Sequence, residues 1–205
     1  DNRYVLLFNG EIYNYVELKK ELKELGYKFR SNSDTEVLFT AWKKWGEKTF
    51  QKINGMFAFC IYDKLKNFVF LARDIAGEKP LYYQKKGKDF FFSSEAKSLT
   101  SIEKPKLRND KFFSSFQYCF EDTLWENIKQ IKPAHYIKYD IKKDKLENIE
   151  YWKIKKRKIF LHEVHEELDY LLKDSIKLRN RSDVKVGLYY SKGLDSTLLR
   201  IYNNY

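Results

Sequence analysis

The sequence predicts an α+β domain with mostly antiparallel strands. From about residue 155 it is followed by the opening helix, strand, loop and helix of a parallel α/β domain. Three observations carry this reading. Two helices with capping signals come after a first short strand, and a run of short strands follows them. Polar turns at Asp63–Asn67 and Lys85–Asp89 separate strands adjacent in sequence, which is hairpin grammar. Beyond Lys153 the pattern shifts to one long amphipathic helix and an apolar run that ends in a small polar loop.

Taken in order, the first strand spans Tyr4–Phe8, and Asn9-Gly10-Glu11 reads as a polar break after it. Asn14 with Glu17 makes a capping pair for a helix that puts Val16, Leu18, Leu22 and Leu25 on one side and stops at Gly26. Ser33 and Glu36 repeat that logic for a second helix, with Val37, Leu38, Ala41 and Trp45 inward and Gly46 at its end. Strands are expected at Met56–Tyr62, Phe68–Ala72, Pro80–Gln84 and Phe90–Ser94, then at His135–Asp140 and Glu150–Trp152. Lys153–Lys158 is a basic connector. Val164, Leu168, Leu171, Leu172 and Ile176 line the amphipathic helix, and Val184–Tyr190 is the strand that feeds the last loop. The chain thus divides into residues 1–154 and 155–205, with no internal repeats or low-complexity segments.

Composition narrows the function classes. With 43% hydrophobic and 18% aromatic residues and only eight Gly and three Pro, the chain has the makeup of a packed protein. The net charge of +11 invites a nucleic-acid reading, but only eight of the 40 basic residues are Arg, and the lysines are spread along the chain. Phosphate and base recognition draws on clustered Arg, so a lysine-rich solvated surface is expected and no nucleic-acid partner. Cys60 and Cys119 are far apart, each inside an apolar aromatic run. Buried free thiols fit better than a disulfide or metal site, which points to a reducing, cytoplasmic compartment. There is no signal-peptide pattern and no apolar run of membrane-spanning length, so no membrane partner is expected. The chain begins at Asp1 without Met, and its first strand starts almost at once, as in a chain cut into.

Four constellations have chemical potential. In Phe8–Asn14, Asn9 offers an amide donor, Gly10 allows close approach to its backbone N–H, and Glu11 suits an ammonium group. Together they form a candidate oxyanion site. The same residues also suit a plain strand-to-helix turn. In Ser33–Glu36, with Ser33 as N-cap, Asp34 stands at the first helical position with its carboxylate free for a ligand amine, or it simply complements the helix dipole. In Arg73–Tyr83, Arg73 and Asp74 form a buried pair that pins a loop shaped by Gly77 and Pro80, a structural role. Finally, Tyr190-Ser191-Lys192-Gly193-Leu194-Asp195-Ser196 joins an apolar run to a helix start, an arrangement that gathers N–H groups and the Ser191 and Ser196 hydroxyls for phosphate. His162 and His165 are spaced i,i+3 but lack a third ligand. With His135 in a strand, no metal site is expected.

Read in series, FNGEIYNYVELKKEL from Phe8, SDTEVL from Ser33, INGMFAFCIYD from Ile53, ARDIAGEKPLYY from Ala72, FSSEAKSL from Phe92, IKPAHY from Ile131 and LRNRSDVKVGLYYSKGLDST from Leu178 resemble the glutamine-dependent asparagine synthetases. The resemblance implies an Ntn-hydrolase αββα sandwich, incomplete at its N-terminus, followed by the first elements of an ATP-pyrophosphatase (PP-loop) domain. It implies that ammonia from glutamine converts aspartate to asparagine while ATP becomes AMP and pyrophosphate. Glutamine, aspartate and ATP with Mg2+ are then substrates, there is no permanent cofactor, and a homodimer is expected.

By motif, Asn9 and Gly10 resemble the oxyanion hole, and Glu11 and Asp34 resemble contacts to glutamine. Tyr190, Ser191, Gly193, Asp195 and Ser196 resemble the ATP loop. The family nucleophile, an N-terminal cysteine, falls upstream of Asn9 by more residues than are given, and Cys60 lacks the free α-amino group that would serve as its base. Residues 1–205 alone are therefore expected not to hydrolyse glutamine, whereas an extension upstream to such a cysteine would. Lys192 stands where the family has Gly, at a place where the backbone is expected to need an angle that Gly adopts at least cost. Relatives acting on another acceptor, in polysaccharide modification or β-lactam synthesis, share these motifs, and an inactive interaction module is the reading from a different class.

Overall fold

A computed structural model describes residues 2–108 and 121–203. The chain divides into two compact units, one ending at Lys153 and the other beginning at Ile154.

In the first unit a five-stranded antiparallel sheet forms the middle layer. Its strands are β1 (Tyr4–Ile12), β2 (Gly55–Asp63), β3 (Phe68–Arg73), β7 (His135–Asp140) and β8 (Lys145–Glu150), in the order β1-β2-β3-β7-β8. A three-stranded antiparallel sheet of β4 (Tyr82–Lys86), β5 (Asp89–Ser93) and β6 (Lys129–Gln130) has the order β5-β4-β6. Both hairpins expected from the polar turns form, β2 with β3 and β4 with β5.

Period-two alternation in β2 sends residues to two different cores. Phe57, Phe59 and Ile61 pack with Phe70 and Ala72 against helix α1 (Tyr15–Glu24), helix α2 (Asp34–Trp45) and the short 3-10 turn Gly46–Gln51. Ala58 and Cys60 face the other way and join Leu71, Ile137 and Tyr139 against Leu81, Ile131 and the rings of Tyr83, Phe90 and Phe92. A strand buried on both faces reads as a continuous apolar run, which is how Gly55–Asp63 reads. The short helix α3 (Ala96–Leu99) packs on β4 and β5. The order of layers is helices, sheet, sheet, with α3 on the last.

Several expectations need correction. β1 does not stop at Phe8 but runs to Ile12, carried through the polar residues by its ladder with β2. Asn14 precedes α1 but makes no cap bond with its side chain. Its Oδ1 accepts from Asn54 N at 2.8 Å and its Nδ2 donates to Lys52 O at 2.8 Å, so it binds the chain entering β2. On α1, Leu18 and Leu22 are buried, while Val16 and, just past the end of the helix, Leu25 are exposed. Ser33 does cap α2 through Thr35 N, but Glu36 turns back to Arg30 N and Ser31 and not to the cap residue. Trp42, not Trp45, is the deeply buried tryptophan of α2.

The strand expected at Glu150–Trp152 lies earlier, at Lys145–Glu150. Asp144 at φ +53 closes a tight hairpin after β7, and the charges along β8 belong to an edge strand. Cys60 is buried and free, and Cys119 lies outside the described residues.

The second unit holds α4 (Leu161–Arg179) and α5 (Leu194–Asn203). Val184–Tyr190, expected as a strand, forms none. No helix among the described residues is long and apolar enough to cross a membrane.

Candidate functional site

The edge strand β1 carries the first constellation. Asn9 and Glu11 are exposed, on the same face as Val5 and Leu7, whereas Phe8 and Ile12 turn toward the helices. Between them, Gly10 adopts φ +143, and a Cβ there would lie 2.0 Å from Met56 O. The requirement is mutual, because a Cβ on Gly55 would lie 2.1 Å from Glu11 O. The two glycines let β1 and β2 approach more closely than any side chain allows. The strand contact needs Gly10 whether or not a ligand binds. Gly55 falls just outside the strand expected from Met56, so it was missed in the sequence; a glycine inside a strand is the usual sign of close backbone approach.

Asp34 joins this segment from 22 residues away. Its Oδ2 accepts the Ile12 N–H at 2.9 Å and its Oδ1 the Thr35 hydroxyl at 3.3 Å. The expectation of a free carboxylate at the start of α2 is thus corrected. It ties α2 to the end of β1, and with roughly four lone-pair positions it keeps capacity for a further donor. The bond also fixes directions. Ile12 N–H points away from β2, whereas Tyr13 N donates to Asn54 O at 2.8 Å, toward it. N–H groups alternate sides along an antiparallel strand, so Gly10 shares the side of Ile12, on the outer edge of β1 about 7 Å away. One strand edge therefore presents the Gly10 N–H and the Asp34 carboxylate, flanked by the Asn9 amide and the Glu11 carboxylate. Such a corner has donors for an anionic oxygen and acceptors for an ammonium group.

Arg73 and Asp74 are buried, but each bonds the main chain and not the other. The Arg73 guanidinium donates to Lys79 O (2.8 Å), Ile131 O (2.8 Å) and Gly77 O (2.6 Å), and its burial lowers its pKa. Asp74 accepts four backbone N–H groups, from Phe57, Ala76, Glu78 and Lys79. The loop is pinned as expected, by main-chain bonds in place of an ion pair. Gly77, at φ +70, leaves no room for a Cβ, which would meet Pro133 Cγ at 2.8 Å and Arg73 Cζ at 3.0 Å. Tyr151 closes the arrangement from the end of the unit, its hydroxyl donating to Arg73 O at 2.7 Å and its N–H to Ala134 O at 2.9 Å.

In the second unit the loop residues do come together. Ser191 Oγ lies 3.2 Å from Ser196 Oγ, Gly193 N donates to Ser191 Oγ at 3.4 Å, and Ser196 Oγ donates to Gly193 O at 3.1 Å. Asp195 sits in the first turn of α5. The Tyr190 hydroxyl is held below its ordinary pKa by hydrogen bonds with Thr197 and Arg200, and Arg200 also lies over the ring at 5.2 Å. Lys192 adopts φ +62, a left-handed conformation that a lysine takes at a cost of about 1 kcal/mol. His135 Nδ1 lies 2.8 Å from Pro133 O, and His162 and His165 are exposed on α4. Among the described residues no group of three or more His, Cys, Asp or Glu is arranged to hold a metal.

Comparison with known proteins bears on this geometry. A family model described as glutamine amidotransferase domain matches residues 1–152. Glutamine-hydrolyzing asparagine synthetase 3 of Bacillus subtilis (strain 168) is 34% identical over 96% of this chain and 33% of its own length. Glutamine-hydrolyzing asparagine synthetase 1 of the same organism is 36% identical over 97% of this chain and 32% of its own. A putative asparagine synthetase 1 of Methanocaldococcus jannaschii is 37% identical over 97% and 35%. The chain thus spans about a third of the length of these relatives.

Among solved structures, the allosteric regulatory enzyme of purine biosynthesis aligns with TM-score 0.57 at 20% identity, over 78% of this chain and 31% of that one. Glutamine phosphoribosylpyrophosphate amidotransferase of B. subtilis, complexed with ADP and GMP, aligns with TM-score 0.55 at 16% identity, over all of this chain and 45% of that one. At those identities the likeness is one of fold, the α+β sandwich of Ntn-hydrolase amidotransferases.

Proposed function

The chain belongs to the glutamine amidotransferase domain family, and from that premise we propose that its β1 corner is the glutamine site. Asn9 and the Gly10 N–H take the role of oxyanion donors. Glu11 and Asp34 hold the α-amino group, with opposite charge supplying the attraction. The observation that carries the reading is the Ile12 N–H bond to Asp34, which brings two motifs distant in sequence to one strand edge. We propose further that ammonia released there amidates aspartate to asparagine in the longer protein, with ATP and Mg2+ as substrates and AMP and pyrophosphate as products. The relatives' names, glutamine-hydrolyzing asparagine synthetases, support the use of glutamine to form asparagine. The contacts among Ser191, Gly193 and Ser196 are compatible with a nucleotide loop that also uses Tyr190 and Asp195.

The test is a titration of 15N-labelled residues 1–205 with L-glutamine followed by NMR. The amides of Asn9, Gly10, Glu11 and Thr35 are expected to shift together and saturably, with D-glutamine much weaker. Asp34→Asn and Glu11→Gln should each weaken binding about tenfold, about 1.4 kcal/mol. Shifts confined to other regions, or an affinity in both variants equal to that of the unaltered chain, would remove the assignment.

A further inference from the structure

β2 is held at both ends by a buried aspartate. At its far end Asp63 accepts the Arg3 guanidinium at 3.0 and 2.7 Å and the N–H groups of Leu65 and Lys66 at 3.1 Å each. At its near end stands Asp74, wholly buried. The Asp74 backbone N donates to Phe57 O at 2.8 Å. The return bond, which a regular ladder would send to the Asp74 carbonyl, goes instead from Phe57 N to the carboxylate Oδ2 at 3.2 Å. A side chain therefore replaces main chain in the last rung of the β2–β3 ladder. The displaced Asp74 carbonyl accepts Gly77 N at 3.2 Å and Ala134 N at 2.9 Å.

Phe57 is the register partner of Gly10, and the space a Cβ of Gly10 would need is filled by Met56 O and Phe57 Cα. The position and direction of the Gly10 N–H are thus set by the backbone of Met56–Phe57, and that backbone is set by the Asp74 carboxylate. We infer that Asp74 is a positioning residue for the Gly10 N–H. It does not touch the substrate and acts through β2. The inference rests on the glutamine reading for its functional meaning, although the displacement of Gly10 can be measured without it.

The carboxylate accepts four N–H groups, and an amide in its place would turn an NH2 toward at least one of them. In 15N-labelled residues 1–205, Asp74→Asn is expected to shift or broaden the Gly10 and Phe57 amide signals and to weaken L-glutamine binding about tenfold or more. Asp63→Asn, which removes a buried carboxylate from the same strand, is the matched control. It should lower thermal stability while leaving Gly10 in place and glutamine affinity within about twofold of the unaltered chain. An unmoved Gly10 in Asp74→Asn, or an equal displacement in both variants, overturns the inference.

If Asp74→Asn does not fold, Gly77→Ala presses on the same loop through Arg73 and Pro133 with the carboxylate retained. It should move Gly10 in a milder form, and its failure to do so is equally decisive. Should the unaltered chain fail to bind glutamine at Gly10, the functional reading falls while the Gly10 displacement still decides the role of Asp74.

Discussion

Gly10 and Gly55 make opposed demands on the same narrow gap, so substitution at either should be costly. Gly10→Ala and Gly55→Ala each set a methyl group about 2 Å from a carbonyl oxygen of the facing strand. Each is expected to destabilise the first unit by on the order of 3 kcal/mol in a denaturant melt. A cost below about 1 kcal/mol would show that the strands separate freely. Cys60 gives a second test. Burial pushes its thiol up to about 12 from the ordinary 9.0. The folded protein therefore keeps the proton that the unfolded chain gives up. The stability tied to that proton is fully present below pH 9.0 and is lost as pH rises toward 12. The melting temperature should fall across that window, less so in Cys60→Ala relative to its own neutral value, and iodoacetamide should not label native Cys60 at pH 8.

The elements most legible in the sequence were those built from local signals. Helix α2 announced itself through Ser33 and Gly46, and the two hairpins through their polar turns, because caps and turns are decided by residues within a few positions. Elements decided by distant partners were not legible. β1 continues through Asn9-Gly10-Glu11 only because β2 lies beside it, and Asp34 finds Ile12 across 22 residues. Asn14 shows the same limit. Its position before a helix suggested a cap, but the free backbone groups of Lys52 and Asn54 compete for the amide and win. Asn14→Ala should therefore behave as the loss of two tertiary bonds, about 2 kcal/mol, and should loosen the entry to β2 while the helix content by circular dichroism stays unchanged. Loss of α1 signal would instead restore the capping role. The residues of the candidate site were all nameable from motifs, whereas their arrangement along one strand edge followed from register alone.

For the whole molecule, the division at Lys153 separates two kinds of interior. Both hydrophobic clusters lie within residues 1–153, while the second unit leaves Leu168, Leu171, Val184 and Leu194 more than half exposed and buries few side chains. The basic connector seen in the sequence begins at that division, and much of its Lys charge is exposed. Native-state hydrogen exchange should release the amides of α4 and α5 well before those of β2 and β3. Truncation after Lys153 should shift the melting of the first unit by no more than about 2 °C. Equal protection across the two units would contradict the division.

Tyr151 is the last well-tethered residue before the connector, and its hydroxyl rests on the carbonyl of Arg73. Read mechanically, this makes the junction an anchorage whose footing is the same pair of residues that sets the end of β2. A pull applied through the connector would meet the Tyr151 bonds first and pass into Arg73–Asp74 before it could unzip β8 from the sheet edge. The rupture force of the junction and the shape of the strand edge at Gly10 would then share one foundation. Tyr151→Phe, which keeps the ring in the core and removes the grip, should lower that force in single-molecule stretching.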